Sequence, residues 1–319
     1  MRTLILSAGK GERLRPLTDL LAKPAIPFHN KPIIVHILEN LKKEGVRDIA
    51  INLHHLPNTV KEAAKSMKGV NMIFSYEKEL LGSAGAIKKL EDFLKNEKNF
   101  LIINGDTIQY IPLKSFLDFH IKEKSFATLL VRKNQSPEKY SIIEIGEENN
   151  ILSIKRPKEE NNYYMYCGAM ILSDQIFDFI PRNMPSDIFK DVFTALFKKK
   201  KRIKAFEYKG PWIEIGTILR YLKHSLECLT DLENIIGENV KLHFSSKVMR
   251  SVIGKNSLIE KNVIIKNSII WDKVIVEHDS VIENCILTHN VHISSFSKIK
   301  NKVIFLEGDT LKTWEIKQK

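Results

Sequence analysis

The chain has 319 residues, 43% of them hydrophobic and 28% charged, and its 50 lysines and arginines outnumber 38 aspartates and glutamates to give a net charge of +12. This composition is typical of a folded globular protein and excludes a disordered chain. No apolar stretch approaches the roughly 20 residues that cross a bilayer, and the apolar segment at Thr3 is too short for a signal peptide. The length predicts about two domains. The positive charge is compatible with three kinds of partner: nucleic acid, an anionic membrane or small anionic substrates.

The number and spacing of the cysteines indicate the cellular compartment of the protein. The chain has three cysteines, without a Cys-x-x-Cys pair, at Cys167, Cys228 and Cys285. We expect all three to be reduced and buried, as in a cytoplasmic protein.

The first two thirds of the chain alternate strand-like and helix-like segments. Short runs rich in β-branched residues predict strands at Thr3–Ser7, Asp48–Leu53, Asn71–Tyr76, Phe100–Asn104 and Ala127–Arg132. Helical periodicity predicts helices at Pro32–Glu44, Thr59–Lys68, Ala84–Lys95, Lys114–Lys124, Ser186–Lys199 and Thr217–Leu229. Strands separated by helices of this length predict a Rossmann-like α/β fold with a mostly parallel sheet and ligands at the carboxyl ends of the strands.

The last third repeats with a period of seventeen residues. Four rows over residues 235–302 place an aliphatic residue at each of three columns. These columns are Ile236, Ile253, Ile270 and Leu287; Leu242, Ile259, Val276 and Ile293; and Val248, Ile265, Ile282 and Ile299. Spacings of six, six and five residues do not fit a helix, and they predict a coil of three short strands per turn around a continuous core. Asparagines at 239, 256, 267, 284 and 301 suit corners with positive φ. The pattern resembles the hexapeptide repeat of left-handed parallel β-helices, and the alternative is a sandwich of unrelated strands.

The loop after the first predicted strand has the sequence GKGERLRPLT. Its glycines, Gly9 and Gly11, let the backbone approach a phosphate closely. It is not a dinucleotide fingerprint, because Leu14 stands where the third glycine is needed, and it lacks the Gly-Lys-Ser/Thr of a Walker A loop. Lys10, Arg13 and the downstream Lys23 add cations, a combination suited to a nucleoside triphosphate; a bare turn is the alternative.

This loop, followed by Lys-Pro, resembles the signature of the sugar-1-phosphate nucleotidylyltransferases, also called NDP-sugar pyrophosphorylases. Three further motifs match the family in the expected order: LGSAGA from Leu81, Asn-Gly-Asp at 104–106 and WIEIGT from Trp212. A hexapeptide β-helix after the catalytic domain occurs in several branches, including mannose-1-phosphate guanylyltransferases. The resemblance implies a nucleotidyltransferase domain at 1–229 and a left-handed β-helix with a tail at 230–319.

The resemblance also implies roles for individual residues. Arg13 would hold the departing β- and γ-phosphates, and Lys23 the reacting phosphates. Asp106 and Glu214 would hold Mg²⁺, to which carboxylate oxygens are well suited. The nucleotide would be bound by Leu6, Ala8, Gly9, Lys10, Gly11, Gly82, Ser83 and Asn104. The sugar phosphate would contact Ser141, Lys155, Arg156 and Gly168.

The sugar-facing half departs from the family pattern. Tyr140-Ser141 replaces the usual Tyr-Gly, and Lys155-Arg156-Pro157 replaces Glu-Lys-Pro. Arg156 can still bind a phosphate, but Lys155 cannot accept hydrogen bonds from sugar hydroxyls. Glu214 stands where aspartate is commoner. A different sugar and a decayed site are the two explanations.

Other polar features have ordinary interpretations. The basic run at 198–202 ends a predicted helix and lacks a nucleic-acid motif. The pair His54-His55 has no third metal ligand at suitable spacing. Histidines in the repeat (His243, His278, His289 and His292) raise the possibility of a hexapeptide acyltransferase, but the four turns lack a protruding loop. We therefore expect neither nucleic acid nor a membrane as a partner, and a β-helix that supports homo-oligomers.

The reaction we expect is Mg²⁺-assisted transfer of a nucleotidyl group from a nucleoside triphosphate to a sugar-1-phosphate. Within the family, LGSAGA and the short β-helix favour GTP with mannose-1-phosphate. UTP or dTTP with glucose-1-phosphate, and UTP with N-acetylmuramate-1-phosphate, are alternatives. A catalytically silent nucleotide-sugar-binding regulatory subunit is the alternative of another class.

Overall fold

The computed structural model describes residues 1–134, 140–155, 163–182 and 184–316. It contains two compact units that do not follow chain order. The first comprises Met1–Lys10 and Ile34–Ile213, and the second comprises Gly11–Ile33 and Glu214–Lys319. The predicted division of the sequence after residue 229 stays a prediction.

The α/β part of the chain has thirteen described strands and eight short helices. The strands are β1 Thr3–Leu6, β2 Pro27–Phe28, β3 Lys31–Pro32, β4 Asp48–Leu53, β5 Asn71–Tyr76, β6 Asn99–Asn104, β7 Thr107–Gln109, β8 Ala127–Lys133, β9 Ile142–Ile145, β10 Ile151–Lys155, β11 Tyr164–Ser173, β12 Ile203–Glu207 and β13 Trp212–Glu214. The helices are α1 Leu17–Leu20, α2 Ile33–Lys43, α3 Pro57–Ala64, α4 Gly82–Lys89, α5 Glu91–Leu94, α6 Leu113–Lys122, α7 Thr194–Lys198 and α8 Ile218–Leu226.

The central sheet of the first unit has the order β10-β9-β11-β6-β1-β4-β5; off this path, β8 pairs with β11, and β12 pairs with β8. Strands β6, β1, β4 and β5 are parallel, which confirms the predicted α/β class. The long strand β11 runs antiparallel to both β6 and β8. The chain leaves β1 toward β4 on one side and later returns with β6 on the other. In open α/β sheets, ligands bind beyond the carboxyl ends of strands at such a reversal.

The helices confirm most of the predicted segments, with two differences. The segment predicted as Ala84–Lys95 is divided into α4 and α5 at Leu90, whose φ of −103° and ψ of 20° interrupt the helix. The segment predicted as Ser186–Lys199 begins with a single π-helical stretch, Ile188–Phe193, before α7. Asp187 caps it by accepting hydrogen bonds from the backbone N–H groups of Phe189 and Lys190, so the first two residues of the predicted helix precede the observed one.

His120 is a buried neutral histidine in α6. Its Nε2 lies 3.1 Å from the Asn99 amide oxygen, an acceptor, so Nε2 carries the proton and Nδ1 accepts from the Thr128 hydroxyl at 2.8 Å. Burial lowers the pKa of His120 from 6.5 to about 4. Protonation therefore favours the unfolded chain, in which the imidazole is solvated.

We expect this histidine to make stability depend on pH. Because its pKa is depressed in the folded state, its contribution is fully present above pH 6.5 and is lost as the pH falls toward about 4. The loss approaches about 3 kcal/mol, since one pKa unit corresponds to about 1.4 kcal/mol. Urea unfolding at pH 7.5 and 5.0 should show a smaller pH effect in His120→Gln than in the parent protein. Equal pH effects in the two proteins would disprove this account of His120.

The strands after residue 234 form the predicted parallel β-helix. They are β14 Ile235–Ile236, β15 Lys241–Leu242, β16 Lys247–Met249, β17 Val252–Ile253, β18 Leu258–Ile259, β19 Ile264–Lys266, β20 Ile269–Ile270, β21 Ile275–Val276, β22 Val281–Glu283, β23 Ile286–Leu287, β24 His292–Ile293, β25 Lys298–Lys300, β26 Lys302–Glu307 and β27 Thr310–Glu315. They stack in parallel sheets whose register places each residue over the one seventeen positions later, as Ile236 over Ile253. All five predicted corner asparagines have positive φ, from 48° to 58°.

The columns form the predicted core, except at the first turn. Ile253 and Ile259 are fully buried, whereas Ile236 and Leu242, one turn earlier, remain 45% and 44% exposed. The first turn has a neighbouring turn on one side only. At the other end, β26 extends the stack and β27 pairs with it antiparallel.

The free cysteines correct one prediction. Cys167 and Cys285 are buried as expected, but Cys228 is exposed, because it follows the end of α8 rather than lying on the face of a core element. None of the described helices is long and apolar enough to cross a membrane.

Candidate nucleotide and metal site

The signature loop belongs to the second unit from Gly11 onward. Gly11 has a φ of 67°, and a Cβ there would lie 2.8 Å from the Thr18 methyl group, so both the backbone conformation and the space require glycine. Its carbonyl accepts hydrogen bonds from Leu14 N at 2.8 Å and from the Thr18 hydroxyl at 3.0 Å. This closed turn leaves Arg13 exposed.

Lys23 and Glu214 are brought together in the second unit. Lys23 is 9% exposed and Glu214 is 8% exposed. The ammonium nitrogen of Lys23 lies 3.9 Å from Oε1 of Glu214, and Nη1 of Arg220 donates to Oε2 of the same carboxylate. Arg220 was not among the predicted site residues. Its position six residues after Glu214, at the start of a predicted helix, is the one sequence feature that could have indicated a contact with that carboxylate.

The other half of the glycine loop, Leu6 to Lys10, belongs to the first unit and follows β1. The backbone N–H of Ser7 donates to the Asn52 side-chain oxygen at 2.6 Å. The Asn52 amide donates in turn to Oε1 of Glu77 at 2.8 Å, and Oε2 of Glu77 accepts from Leu81 N at 3.1 Å. Glu77 is 1% exposed. This chain of hydrogen bonds fixes the end of β1 relative to the start of the LGSAGA segment. Neither Asn52 nor Glu77 lies in one of the recognised motifs, so neither was among the predicted site residues.

The LGSAGA segment forms the start of α4. Ser186 O accepts hydrogen bonds from Ala84 N at 3.0 Å and Gly85 N at 3.2 Å. The Ser83 hydroxyl donates to Asp187 at 3.0 Å and accepts from Ile188 N at 2.8 Å. Gly82 is exposed at the surface of this segment. The predicted nucleotide residues Gly82 and Ser83 therefore lie on a rigid segment, and the Ser83 hydroxyl itself holds that segment in place.

The Asn-Gly-Asp motif ends β6 beside β1. Gly105 N donates to Leu6 O at 2.8 Å, and a Cβ on Gly105 would collide with the Ser7 hydroxyl oxygen. Glycine is thus required by the close approach of the two strand ends. Asp106 follows at the turn, half-buried, and accepts a hydrogen bond from the Thr107 hydroxyl at 3.1 Å. The motif places Asp106 at the reversal point of the sheet.

Several residues of the predicted sugar side converge on Trp212. The indole nitrogen donates to Cys167 O at 2.9 Å, and the Tyr140 ring packs edge-on against the indole at 5.6 Å. The guanidinium carbon of Arg132 lies 5.6 Å from the centroid of the indole ring. Gly168 follows Cys167, and burial raises the pKa of the Cys167 thiol to about 12, so this thiol is not a thiolate at neutral pH. Arg132 was not among the predicted site residues, because it lies in no recognised motif.

The remaining sugar-side residues are less enclosed. Ser141 is exposed. Lys155 is also exposed, at the end of β10, and its ammonium group pairs with Glu144 on the neighbouring strand at 2.7 Å. Arg156 lies outside the described residues.

Two carboxylates are available for a metal ion. Asp106 and Glu214 offer hard oxygen donors of the kind that Mg²⁺ prefers, and Glu214 is buried beside the Lys23 ammonium. Among the described residues, no three of His, Cys, Asp or Glu cluster as a metal site. Each of the two carboxylates, taken by itself, therefore offers the donor chemistry of a Mg²⁺ ion whose other ligands are substrate phosphates and water.

Comparisons with known proteins agree with this organisation. The family model described as "Nucleotidyl transferase" matches residues 2–231, and that described as "EIF2B subunit epsilon LbH domain" matches residues 220–313. A mannose-1-phosphate guanyltransferase of Saccharomyces cerevisiae is 35% identical over 73% of this chain and 66% of its own length. That of Schizosaccharomyces pombe is 34% identical over 80% of this chain and 74% of its own length.

A solved structure gives the same fold. HddC from Yersinia pseudotuberculosis, complexed with GMP-PN, superposes with a TM-score of 0.61 at 25% identity and covers 71% of this chain and 98% of its own. Among the sequence relatives, the chain spans about two thirds of the length of the Saccharomyces protein. With a family model that matches most of its length, and a left-handed β-helix domain behind it, the chain belongs to the nucleotidyl transferase family.

Proposed function

We propose that the protein transfers a nucleotidyl group from a nucleoside triphosphate to a sugar-1-phosphate, with GTP and mannose-1-phosphate as its substrates and GDP-mannose and pyrophosphate as products. The curated relatives that carry the name mannose-1-phosphate guanyltransferase support this choice of substrates. The observation that carries the proposal is the placement of the motif residues. The Asn-Gly-Asp motif lies at the reversal point of the sheet, and Lys23 lies beside the carboxylate of Glu214.

The reaction is an in-line displacement at the α-phosphorus of the nucleotide. A sugar phosphate oxygen attacks, the bond to the β-phosphate bridging oxygen breaks, and pyrophosphate leaves. The attacking oxygen is already ionised, so the chain needs neither a nucleophile nor a general base. Both reactants are anions, and the barrier lies mainly in charge repulsion and alignment. Fixed cations such as Arg13 and Lys23 lower it by electrostatic stabilisation.

We propose Mg²⁺ as the metal, held by Asp106 and Glu214. When bound, it would neutralise phosphate charge and orient the two substrates. Other residues of the chain would bind the substrates directly. Lys10 and the backbone N–H groups at Ala8, Gly9 and Gly11 would bind phosphates. Leu6, Gly82, Ser83 and Asn104 would contact the nucleoside.

On the sugar side, we propose contacts from Ser141, Gly168 and Arg156, with Lys155 as a further phosphate cation. Arg132, which lies over Trp212, adds a cation to the described part of this region. The altered motif supports two alternatives. The first is another substrate pair: glucose-1-phosphate with UTP or dTTP, or N-acetylmuramate-1-phosphate with UTP. The second is a silent nucleotide-sugar-binding subunit.

A substrate panel separates these alternatives. Pyrophosphate release is measured for GTP, ATP, UTP, CTP and dTTP, each with mannose-, glucose- and N-acetylmuramate-1-phosphate, in the presence of Mg²⁺. We expect release with GTP and mannose-1-phosphate above all other pairs. Release with another pair identifies a different substrate. Binding of GDP-mannose by calorimetry without release from any pair supports the regulatory subunit.

We also propose that the β-helix supports association with a second copy in the cytoplasm. The free cysteines fit a reducing compartment. The first turn exposes Ile236 and Leu242 of the core columns, and next to them Phe244 is 94% exposed. A second copy presenting the same apolar end would cover these side chains through a two-fold interface.

Light scattering tests the association. We expect the parent protein to be dimeric and the double variant Leu242→Glu/Phe244→Glu to be monomeric, because charges at the interface oppose burial. Phe296→Glu, at an exposed corner three turns further along (70% exposed), is the matched control and should remain dimeric. A parent protein that is itself monomeric, or a double variant that stays dimeric, would refute this interface.

A further inference from the structure

The carboxylate of Glu214 is shared by two cations. Nη1 of Arg220 donates to Oε2, and the Lys23 ammonium lies 3.9 Å from Oε1. The side chains of Glu214 and Arg220 are only 11% and 16% exposed. All three residues belong to the second unit. In such partial burial, charge interactions are screened less by water than those on the surface.

The backbone fixes Arg220 in this position. Arg220 lies in the first turn of α8, and its N–H donates to the capping hydroxyl of Thr217 at 3.3 Å. Glu214 ends β13, so strand, cap and helix follow one another without a flexible loop. The Arg220–Glu214 pair is also much less exposed than the ion pair between Lys223 and Glu227 at the end of the same helix, whose side chains are 69% and 47% exposed.

We propose that Arg220 is a positioning residue that competes with Mg²⁺ for Glu214. It holds the carboxylate in place and lowers its affinity for the free metal ion. The inference rests on the proposed function, in which Glu214 is a metal ligand. Mg²⁺ needs carboxylate oxygens at about 2.0–2.1 Å in a near-octahedral arrangement. A guanidinium on Oε2 occupies one of the two oxygens, and its charge repels the dication.

Competition and a purely structural ion pair predict different effects on metal affinity when Arg220 is replaced. If the pair only ties α8 to β13, removing Arg220 lowers stability and leaves the metal affinity unchanged. If Arg220 competes, removing its charge strengthens metal binding, whatever happens to stability. Metal affinity measured without substrate therefore separates the two roles and needs no turnover.

The experiment measures Mn²⁺ binding to the full chain, without substrate, from the electron paramagnetic resonance signal of free Mn²⁺, with Mg²⁺ as the competing ion. We expect Arg220→Gln to bind Mn²⁺ about tenfold more tightly than the parent protein, a change equivalent to about 1.4 kcal/mol. Arg220→Lys keeps the charge with a less directional donor and should lie between the two. Lys223→Gln removes one exposed charge from the same helix and should leave the affinity within about twofold of the parent value.

The variant Glu214→Gln separates a failure of the proposed competition from a failure of the assignment of Glu214 as a metal ligand. If it weakens Mn²⁺ binding while Arg220→Gln leaves the affinity unchanged or lower, the competition is refuted and the metal ligand stands. If Glu214→Gln binds Mn²⁺ as the parent does, the ligand assignment itself fails. The competition also requires that the gain from Arg220→Gln disappears in the double variant with Glu214→Gln. Should Arg220→Gln not fold, as judged by circular dichroism, Arg220→Lys and the conservative Arg220→Met carry the same comparison.

Discussion

Asp106→Ala should lower turnover by about a hundredfold or more while leaving the fold intact. Asp106 is a half-buried turn residue that follows the glycine packed against Ser7, so the strand ends do not depend on its carboxylate. Asp106 is the proposed ligand of the Mg²⁺ that would neutralise phosphate charge, and losing one such source of transition-state stabilisation typically costs factors of 10² to 10³. Arg13→Ala should have a similar effect, because its exposed guanidinium is proposed to hold the departing phosphates.

The measurement is the rate of pyrophosphate release at saturating substrates, together with the unfolding midpoint. Asp118→Ala, an exposed aspartate in α6, is the matched control and should retain parent activity. Parent-like kinetics in both Asp106→Ala and Arg13→Ala would refute the site.

Trp271→Ala should strongly destabilise the second unit. Trp271 is 1% exposed, and its indole nitrogen donates to the Tyr221 hydroxyl at 2.9 Å. That hydroxyl donates to Pro27 O at 2.5 Å, and the Asn30 amide donates to Ile253 O at 2.8 Å. The β-helix is thus joined to the segment that carries Arg13 and Lys23. Removing a buried tryptophan costs about 3–5 kcal/mol.

Denaturant unfolding checks this expectation. Trp271→Phe keeps most of the volume and loses the donor, so we expect a loss of about 1 kcal/mol. Trp314→Ala, at a residue 51% exposed on β27, should change stability by less than about 0.5 kcal/mol. A loss below about 1 kcal/mol for Trp271→Ala would contradict the role given to this side chain.

The fold was predictable where one periodic signal determines structure. The seventeen-residue columns predicted the strands β14 to β25, because each aliphatic residue must stack on its neighbour one turn away, but not β26 and β27, which extend beyond the fourth row. The antiparallel strand Tyr164–Ser173 was not predicted, because its mostly apolar run does not alternate and periodicity alone cannot tell such a strand from a buried helical segment. The exposed Cys228 was also missed, since exposure depends on where a helix ends.

The site was predictable as motifs but not as contacts. Gly105, Asp106 and Glu214 were recognised because short motifs preserve them. The sequence did not reveal that Asn52 and Glu77 link the end of β1 to the LGSAGA segment, since these contacts join residues that are far apart in the chain. Arg220 and Arg132 were missed for a related reason. An arginine acquires a role only from the carboxylate or ring that the fold places beside it.

The most direct test of the proposed reaction follows the α-phosphate of GTP. The purified full chain is incubated with Mg²⁺, mannose-1-phosphate and GTP labelled at the α-phosphorus, and the products are separated. We predict that the label appears in GDP-mannose in equal amount to the pyrophosphate released, and that transfer requires mannose-1-phosphate. Absence of labelled nucleotide sugar, with GTP intact or merely hydrolysed, would contradict the proposal.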